Sequence, residues 1–397
     1  MPPGRDVACI HSNAKHVCCI TERVRAGIGS ARSCSLISMQ IEENKPLAPY
    51  TTFGVGGPAR WFVEAASEDE IVEATGWARE RGLKLFVLGG GSNLLVADAG
   101  FDGLVLKVGL KGVRAYIDDH RLSVTRGMWI YEVAAGEDWD GFVQRTVEDN
   151  CAGLECLAGI PGTVGGTPVQ NVGAYGQEVG SRIDRVRTFD QYRGMFIEFT
   201  SEHCEFGYRR SRFNSEDRGR YIVTRVDYLL SPGGAPTVRY PDLQGAILED
   251  KHGEEPTLVD VAAAVRRVRQ GKGMLLVDGD PDCRSAGSFF KNPIVSEEQL
   301  SAIAVISGKV PPQFPAGTGA ENARQVKVPA AWLIEQAGYS KGFRFGRAGV
   351  SSRHTLALVN LGGASAEEIL ALAGQIRGAV HARFGLRLEM EPAMVGF

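Results

Sequence analysis

Two glycine-rich stretches of this sequence have the residue types and the spacing to bind phosphate groups. The first covers residues 88–96 and the second covers residues 158–176, where glycine and proline fall too densely for a helix or an ordinary strand. Glycine lets backbone N–H groups approach a ligand closely, and these groups donate hydrogen bonds to phosphate oxygens. We therefore expect the two stretches to hold a large, flat, phosphate-bearing cofactor. For either stretch alone, a structural cluster of turns is the alternative interpretation.

Other cofactor and metal motifs are missing from the sequence or fail in context. Residues 54–59 fit the dinucleotide pattern G-x-G-x-x-A, but Pro58 stands where a helix should begin and residues 60–65 look extended. No lysine follows Gly91 to open a helix, which excludes a P-loop. The chain has no CxxC or HExxH motif and no cysteine and histidine spacing typical of zinc, so we expect no metal.

Composition argues against several classes of protein. At 397 residues and 44% hydrophobic content, the chain can bury an ample core, and we expect two or three domains. The formal net charge of -3 gives no general reason to bind nucleic acid or an anionic membrane. No apolar run approaches the roughly 18 residues of a membrane span, and the dispersed cysteines fit a reduced compartment. We therefore expect a soluble, cytoplasmic protein.

Residues 1–38 differ from the rest of the sequence because they lack hydrophobic periodicity. Met39 then opens a stretch that looks like an ordinary protein beginning. We expect residues 1–38 to be a disordered N-terminal extension from an upstream reading frame, with Met39 as the natural start.

Hydrophobic periodicity predicts both helices and strands after Met39. Ser67 is the expected N-cap of the first helix, and residues 231–236, rich in proline and glycine, mark the clearest domain boundary. The predicted helices cover residues 68–81, 137–150, 258–269, 330–337 and 366–384. The predicted strands cover residues 60–65, 84–88, 104–108, 122–125, 186–189, 196–199, 221–230 and 355–360, with a short strand at Val96 and a terminal strand.

Seven stretches of the sequence resemble the family of UDP-N-acetylenolpyruvoylglucosamine reductases, FAD enzymes that make UDP-N-acetylmuramate for peptidoglycan. The stretches follow the family's order and together span essentially residues 45–397, so the resemblance is specific. They lie at residues 52–57, 89–95, 159–176, 208–213, 287–293, 331–338 and 388–391.

The resemblance implies an α+β fold with a vanillyl-alcohol-oxidase-type (PCMH-type) FAD-binding domain of two α/β pieces and a C-terminal α+β substrate-binding domain. On this basis we expect the FAD-binding domain at residues 39–232, in two subdomains of about 45–108 and 109–232. Residues 233–385 would bind the substrate, and residues 386–397 would form a strand carrying an active-site glutamate. The resemblance also implies non-covalent FAD, NADPH as hydride donor, a UDP-sugar enolpyruvyl ether as substrate, and a monomer.

Three catalytic residues are implied by the resemblance. Arg209 would stabilise the charge that develops on the substrate carboxylate, because guanidinium binds carboxylate and keeps its charge. Ser288 would donate a proton from a dry pocket, and Glu391 would orient the serine or the carboxylate. Taken singly, Arg209 is more typical of a surface ion pair and Ser288 of a turn cap. Spacing alone does not separate Glu391 from Glu389, which share one face of a strand; the family register favours Glu391.

The residues for FAD and substrate follow from the same resemblance. The segment between Arg209 and Ser288 resembles the longer type of reductase, in which a loop tyrosine, here Tyr240, covers the substrate, although Pro241 replaces the commoner glycine. For His354, a structural role is as frequent as a ligand contact. The implied FAD residues are Gly89, Gly90, Gly91, Ser92, Asn93, Leu94, Gly159, Ile160, Pro161, Gly162, Thr163, Gly165, Gly166, Asn171, Gly173 and Ala174, and the implied substrate residues are Tyr175, Tyr240, Arg269, Lys272, Asn292, Lys341 and His354.

Two other functions stay open on the sequence alone. An FAD oxidase of the same superfamily, acting on an alcohol or sugar, would carry a flavin-linking histidine or cysteine near a glycine turn, and neither flanks residues 89–93. A non-catalytic nucleotide-sugar or flavin-binding protein would keep the glycine-rich stretches but lose Arg209, Ser288 or Glu391. All three residues are present, which favours the reductase.

Overall fold

The computed structural model describes residues 39–117, 127–251, 254–316 and 325–397. The expected extension at residues 1–38 and the predicted strand at residues 122–125 lie outside these ranges. Met39–Phe397 forms one unit by its internal contacts.

Capping residues define where most of the helices begin. Ser67, Asp138, Thr257, Ser296 and Ser365 each accept a hydrogen bond from a backbone N–H of the first helical turn. Such a side chain satisfies a donor that the helix itself leaves unpaired. The helices are α1 (Glu68–Glu80), α2 (Trp139–Glu148), α3 (Pro241–Lys251), α4 (Leu258–Gly271), α5 (Glu297–Ser307), α6 (Ala330–Gln336) and α7 (Ala366–Phe384).

The strands form several sheets, and the two largest lie in the N-terminal half of the fold. In that half they are β1 (Glu42–Pro46), β2 (Pro58–Ala65), β3 (Lys84–Leu88), β4 (Leu94–Val96), β5 (Phe101–Val108), β6 (Val113–Ile117), β7 (Trp129–Ala134), β8 (Cys151–Ala152), β9 (Gly173–Ala174), β10 (Gln177–Glu178), β11 (Ile183–Asp190), β12 (Met195–Thr200) and β13 (Tyr221–Pro232). Beyond it they are β14 (Ile294–Ser296), β15 (Phe314–Pro315), β16 (Gln325–Lys327), β17 (Arg344–Phe345), β18 (Ala348–Val350), β19 (Leu358–Asn360) and β20 (Ala393–Val395).

The first sheet leads directly into the first glycine-rich stretch. Its order is β1-β2-β5-β3, and both β2 and β3 run parallel to β5. Helix α1 packs on the sheet through buried Ile71 and Ala74. Strand β3 ends at Leu88, so Gly89 follows the carboxyl end of a parallel strand, the usual place for ligands in open α/β sheets.

The second sheet supports the second glycine-rich stretch. Its order is β12-β11-β13-β7-β6, with every pair antiparallel. Tyr131, Tyr228 and Trp139 are among the largest fully buried side chains, and the Trp139 and Tyr228 rings lie 5.9 Å apart. The backbone N–H of Trp139 donates to the Gly162 carbonyl at 3.1 Å, and its indole N–H donates to the Leu157 carbonyl at 3.3 Å, so this buried residue fixes the path of the glycine-rich chain.

The C-terminal part of the chain packs directly on the N-terminal turns. Helices α6 and α7 and the β17-β18-β19 sheet enclose a core that contains Phe289 and Phe290. Phe53 and Leu95, from the N-terminal half, belong to the same core. Strand β20 completes this packing, because it pairs in parallel with β4, directly after the first glycine-rich turn.

The α+β class expected from the sequence is confirmed, and β3 and α7 match their predicted ranges. Helices α3 and α5 were not expected, and the predicted strand at 355–360 is shortened to β19. The segment after Tyr240 is helical from Pro241 onward, because proline suits a first helical position, where its missing N–H costs nothing. Within the described ranges, no helix is both long and apolar enough to span a membrane.

Candidate active site

A cavity of about 1610 Å³ lies where the two glycine-rich stretches meet the C-terminal part of the chain. Residues of both stretches line it, and so do Arg209, Ser288 and Glu391. These three side chains come from distant parts of the sequence, so the fold brings them to one place.

The first glycine-rich turn is shaped by close backbone contacts. A Cβ on Gly90 would lie 2.5 Å from the Cα of Gly162, and Gly91 has a φ of 65° with the Tyr50 carbonyl directly behind it. Only glycine fits these two positions. The N–H groups of Gly90, Gly91 and Ser92 donate no hydrogen bond to any residue that the structure describes, and all three residues line the cavity. Successive free N–H groups of this kind fit the pyrophosphate of FAD.

The second glycine-rich stretch forms one wall of the cavity. The Gly165 N–H donates to the Ala135 carbonyl at 2.8 Å, which holds the stretch against the second sheet. A Cβ on Gly166 would contact no atom within 4 Å, and Gly166 lines the cavity, so a side chain there would take up cavity space. Because Gly166 has no side chain, the cavity keeps room for a planar ring system such as that of a flavin.

Arg209 stands in a tight turn and faces a buried carboxylate. The turn Gly207–Arg210 is closed by two backbone hydrogen bonds between its end residues, of 2.9 and 3.1 Å. The Arg209 Nε lies 3.1 Å from the Glu391 Oε1, but the Nε–H does not point along a hydrogen-bond direction, and this buried atom has no hydrogen-bond partner. The pair is therefore an ion pair without a hydrogen bond. The terminal N–H groups of Arg209, which donate to no residue that the structure describes, are the donors available to a ligand in the cavity.

Glu391 is positioned through backbone pairing with the segment that carries Ser288. The Glu391 N–H donates to the Phe289 carbonyl at 2.9 Å, and the Asn93 side-chain amide donates to the Glu391 carbonyl at 3.3 Å. The Glu391 side chain is 10% exposed, and burial raises its carboxyl pKa although nearby Arg209 acts in the opposite direction. Glu389 is different, because its side chain is 75% exposed and pairs with Lys291 at 3.2 Å.

Ser288 lies at the boundary between the cavity and the C-terminal core. It lines the cavity and is half-buried, between Gly287, with a φ of 70°, and the fully buried Phe289. The Phe289 N–H donates to the Leu356 carbonyl at 2.8 Å, which fixes the backbone beside the serine. The hydroxyl therefore stands on a rigid, largely apolar support that limits the access of water.

Aromatic and cationic side chains line another part of the same cavity. The Tyr240 ring lies 6.1 Å from the Tyr175 ring and 6.3 Å from the Phe314 ring. The Lys272 Nζ lies 5.9 Å from the centre of the Tyr175 ring and pairs with the Asp242 carboxylate at 2.7 Å. Apolar rings beside a cation suit a ligand that has both a planar base and phosphate groups.

Arg269 is buried in this wall and His354 is half-buried. Burial and the neighbouring charges of Lys272 and Lys341 lower the pKa of His354 to about 4, so the imidazole is neutral near physiological pH. The Arg269 guanidinium donates to the Gly159 carbonyl at 3.0 Å and to the Met274 carbonyl at 2.6 Å. Arg269 lines the cavity, but these two bonds hold the backbone around it.

Three residues expected at the site do not line the cavity: Gly159, Asn171 and Lys341. The Gly159 N–H and carbonyl are bonded to Asp140 and Arg269. Asn171 is 2% exposed and its amide is bonded within the protein. Lys341 is exposed, and its charge reaches His354 only through space. The other expected residues line the cavity, including Asn292, whose side-chain oxygen accepts the Ala330 N–H at 2.8 Å.

Several cavity residues could not be found from the sequence. Lys327 lines the cavity, and its Nζ lies 4.2 Å from the centre of the Tyr208 ring. Burial lowers the pKa of Lys327, and Arg209 acts in the same direction. Gln170, Lys291 and Phe314 also line the cavity. A lone lysine between two valines gave no signal; only the neighbouring Tyr208, inside a family motif, could have pointed to it.

Comparisons with known proteins agree with this geometry. The family described as "UDP-N-acetylenolpyruvoylglucosamine reductase, C-terminal domain" matches residues 280–395, and the family described as "FAD binding domain" matches residues 59–200. The UDP-N-acetylenolpyruvoylglucosamine reductase of Streptomyces coelicolor is 43% identical over 375 residues, which cover 92% of this chain and 93% of the relative. The reductase of Cutibacterium acnes is 44% identical over 358 residues, 89% of this chain and 90% of the relative.

A solved structure resembles the fold over nearly the same extent. The crystal structure of UDP-N-acetylenolpyruvylglucosamine reductase from Thermus caldophilus matches with a TM-score of 0.60 and 28% sequence identity. The match covers 90% of this chain and 99% of that chain. The glycine-lined cavity, the high identity over most of the sequence and the matched domains lead to one conclusion: this chain belongs to the UDP-N-acetylenolpyruvoylglucosamine reductase family.

Proposed function

We propose that this chain reduces the enolpyruvyl ether of UDP-N-acetylglucosamine, UDP-N-acetyl-3-O-(1-carboxyvinyl)glucosamine, to UDP-N-acetylmuramate in peptidoglycan precursor synthesis. NADPH is the hydride donor and FAD is bound without a covalent link. The observation that carries this proposal is the ion pair of Arg209 and Glu391, 3.1 Å apart, in a cavity that also contains Ser288 and both glycine-rich stretches. An alcohol or sugar oxidase is not favoured, because the relatives that cover most of the chain are reductases.

The role proposed for Arg209 follows from the charge that the reaction creates. FAD, when bound, supplies a hydride that came from NADPH. When the substrate's terminal methylene carbon forms a bond to the hydride, the π electron pair of the C=C bond moves to the neighbouring carbon and into the carboxylate that this carbon carries, which gives an enediolate. The Arg209 guanidinium would bind that carboxylate through its terminal N–H groups, which donate to no residue that the structure describes, and would stabilise the added charge. Stabilisation of this kind acts mainly on the transition state and so raises the rate.

Ser288 and Glu391 would complete the reaction by controlling one proton. The carbon next to the carboxylate must gain a proton after the hydride arrives, and the Ser288 hydroxyl would donate it. Phe289 and Phe290, both buried, limit competition from water at this point. Glu391 would hold Arg209 and Ser288 in register, through its side-chain contact with Arg209 and its backbone bond to Phe289, the residue after the serine.

Lys272 would bind the diphosphate, with Tyr175 and Tyr240 packing on the nucleotide.

We also propose that residues 39–232 bind FAD, that residues 233–385 bind the UDP-sugar with residues 386–397 adding the glutamate, and that the protein works as a cytoplasmic monomer. NADPH and the UDP-sugar would use the same cavity in turn, because each must bring its reacting carbon to the same face of the flavin. A two-step exchange of this type predicts parallel initial-rate lines.

The proposed function is tested with the purified protein under anaerobic conditions. We expect a yellow flavin spectrum, release of the flavin on denaturation, bleaching by NADPH, and recovery of the colour when the enolpyruvyl UDP-sugar is added. A flavin that NADPH reduces but only oxygen reoxidises would contradict the proposal and favour an oxidase. Initial-rate lines that intersect would contradict the shared cavity.

A further inference from the structure

The backbone of Arg209 has a conformation that its residue type does not favour. Arg209 has a φ of 54° at the third position of the turn Gly207–Arg210, a position where positive φ usually selects glycine or asparagine. A residue with a side chain keeps this conformation only when its surroundings impose it, and such strain tends to occur at functional sites. The structure must therefore contain groups that hold this turn.

Asn214 holds the turn at the arginine itself. Its side-chain N–H donates to the Arg209 carbonyl at 3.2 Å, while its side-chain oxygen accepts the Ser211 N–H at 2.9 Å. The Ser211 hydroxyl in turn donates to the Val169 carbonyl at 2.6 Å. These bonds connect the carbonyl of Arg209 to the second glycine-rich stretch, which lines the flavin side of the cavity.

Asn171 holds the other end of the same turn. Its side-chain N–H groups donate to the Gly207 carbonyl at 3.0 Å and to the Glu178 carboxylate at 2.9 Å, and its oxygen accepts the Gly180 N–H at 2.9 Å. Asn171 does not line the cavity, and its own φ is 46°. All the hydrogen-bonding groups of this amide are therefore used within the protein, and it is not available to a ligand.

We propose that Asn171 and Asn214 are positioning residues for Arg209, and that they direct its guanidinium toward the substrate carboxylate beside Glu391. Asn171 does not line the cavity, whereas Asn214 does; the Asn214 amide is bonded to the Arg209 carbonyl and the Ser211 N–H, so each asparagine acts through the turn. This inference rests on the proposed function, because it assigns Arg209 to the step in which the substrate accepts the hydride. It predicts a defect confined to reoxidation of the flavin by the UDP-sugar, since reduction by NADPH creates no carboxylate charge.

The test uses the full chain with bound FAD and measures the two half-reactions separately. Asn214→Asp keeps the acceptor for Ser211 but replaces the donor to the Arg209 carbonyl. Asn171→Gly removes the side chain while glycine accepts the left-handed φ without strain. The matched control is Asn150→Gly, because Asn150 has a similar φ of 52° but is exposed and does not line the cavity.

We expect reoxidation by the enolpyruvyl UDP-sugar to slow roughly 10-fold in Asn214→Asp and Asn171→Gly, a typical loss for one misplaced hydrogen-bonded group. Reduction by NADPH should stay within about twofold of the unchanged protein, kcat should fall more than KM rises, and Asn150→Gly should behave as the unchanged protein. In an Arg209→Ala background, Asn214→Asp should slow reoxidation no further, because its effect passes through the arginine.

Unchanged reoxidation in both asparagine variants would overturn the inference. So would equal slowing of both half-reactions, loss of FAD, or additional slowing in the Arg209→Ala background, since each indicates a general structural role. Failure of the unchanged protein to be reoxidised by the UDP-sugar is a separate result, which would contradict the proposed function itself.

Discussion

Single side chains in the cavity have pKa values governed more by burial than by their charged neighbours. Burial raises the carboxyl pKa of Glu391 despite the adjacent Arg209, and burial lowers the pKa values of Lys327 and His354. Each shift favours the uncharged form, because removing a charge from water costs free energy. An anionic substrate bound nearby would act in the opposite direction and raise the pKa values of Lys327 and His354.

Replacement of Ser288 by alanine should separate the two half-reactions. Without the hydroxyl, Ser288→Ala should be reduced by NADPH at a nearly normal rate, while reoxidation by the UDP-sugar should fall by about 10²–10⁴-fold, the usual contribution of a positioned acid. Stopped-flow absorbance of the flavin measures both rates. If both steps fail together while FAD stays bound, Ser288 is not the proton donor.

The half-buried His354 should make stability depend on pH. Because the pKa of His354 is lowered from 6.5 to about 4 on folding, the unfolded chain binds a proton between these values that the folded chain does not bind. Stability should therefore fall as the pH decreases from 6.5 towards 4, by about 2 kcal/mol between about pH 7 and about pH 5 from this residue.

Urea unfolding of the unchanged protein and of His354→Gln at both pH values measures that contribution. The variant should lose about 2 kcal/mol less unfolding free energy than the unchanged protein over the same pH interval. His203 is exposed and bonded to the Thr200 hydroxyl, so His203→Gln is a suitable control. Identical pH dependence in His354→Gln and the unchanged protein would show that the histidine does not titrate abnormally.

Replacement of Gly91 in the first glycine-rich turn should destabilise the protein and weaken FAD binding. Gly91 and Gly82 have similar φ values of 65° and 62°, but a Cβ on Gly91 would overlap the Tyr50 carbonyl, whereas one on Gly82 would contact nothing within 4 Å. Gly82→Ala should cost about 1 kcal/mol of unfolding free energy from backbone strain alone. Gly91→Ala should cost several times more and should reduce bound FAD, as measured by urea unfolding and the ratio of flavin to protein absorbance. Equal costs for the two variants would contradict the close packing at Gly91.

Elements with local signals could be predicted from the sequence. Helix α7 has a serine N-cap at Ser365 and a left-handed glycine after its last residue, and its predicted range is confirmed. Helix α3 was missed because its sequence, PDLQGAILEDK, has glycine inside it and a weak apolar stripe. The short strand at Val96 and the terminal strand were expected and correspond to β4 and β20, but their pairing with each other across the fold was not, because no local pattern encodes such a pairing.

The contrast between local signals and long-range contacts also explains which cavity residues could be predicted from the sequence. The glycines could be predicted because their spacing reflects a local backbone requirement. Glu391 could not be separated from Glu389 by spacing, because only the pairing with residues 289–291 determines which carboxylate is buried. Asn171 was expected to contact the cofactor, but its amide is bonded to Gly207, a residue 36 positions away. Such long-range contacts are invisible in a single sequence.

Across the whole molecule, the two ends of the chain are joined by polar contacts as well as by the shared core. The Asp98 carboxylate accepts the Ala366 and Glu367 N–H groups at 2.8 and 3.0 Å, at the start of α7. The Asn360 side chain donates to the Phe53 carbonyl at 2.9 Å. The Asp98 carboxylate satisfies two N–H groups that the first turn of α7 leaves unpaired, and the Asn360 amide satisfies the Phe53 carbonyl. Both contacts help to hold the N-terminal and C-terminal parts of the chain together.

Removal of the Asp98 carboxylate should weaken the connection between these two parts of the molecule. Asp98→Ala should lower the unfolding free energy by about 1 kcal/mol, because a charged group then no longer caps α7. Asp102→Ala should have almost no effect, since Asp102 is 83% exposed and its partner Arg60 is 56% exposed. Urea unfolding near neutral pH compares the two variants. An equal effect of both would mean that the contact with α7 contributes nothing specific.

The pairing of β4 with β20 has a consequence for how the enzyme is made. Asn93 and Glu391 are separated by 298 positions, yet the amide of one bonds the carbonyl of the other. A nascent chain can complete its first sheet early, but the ribosome must translate nearly the entire message before the carboxylate opposite Arg209 exists. Activity should therefore arise late and abruptly in synthesis, and ribosome-stalled chains that stop before Glu391 should be unable to reduce the sugar.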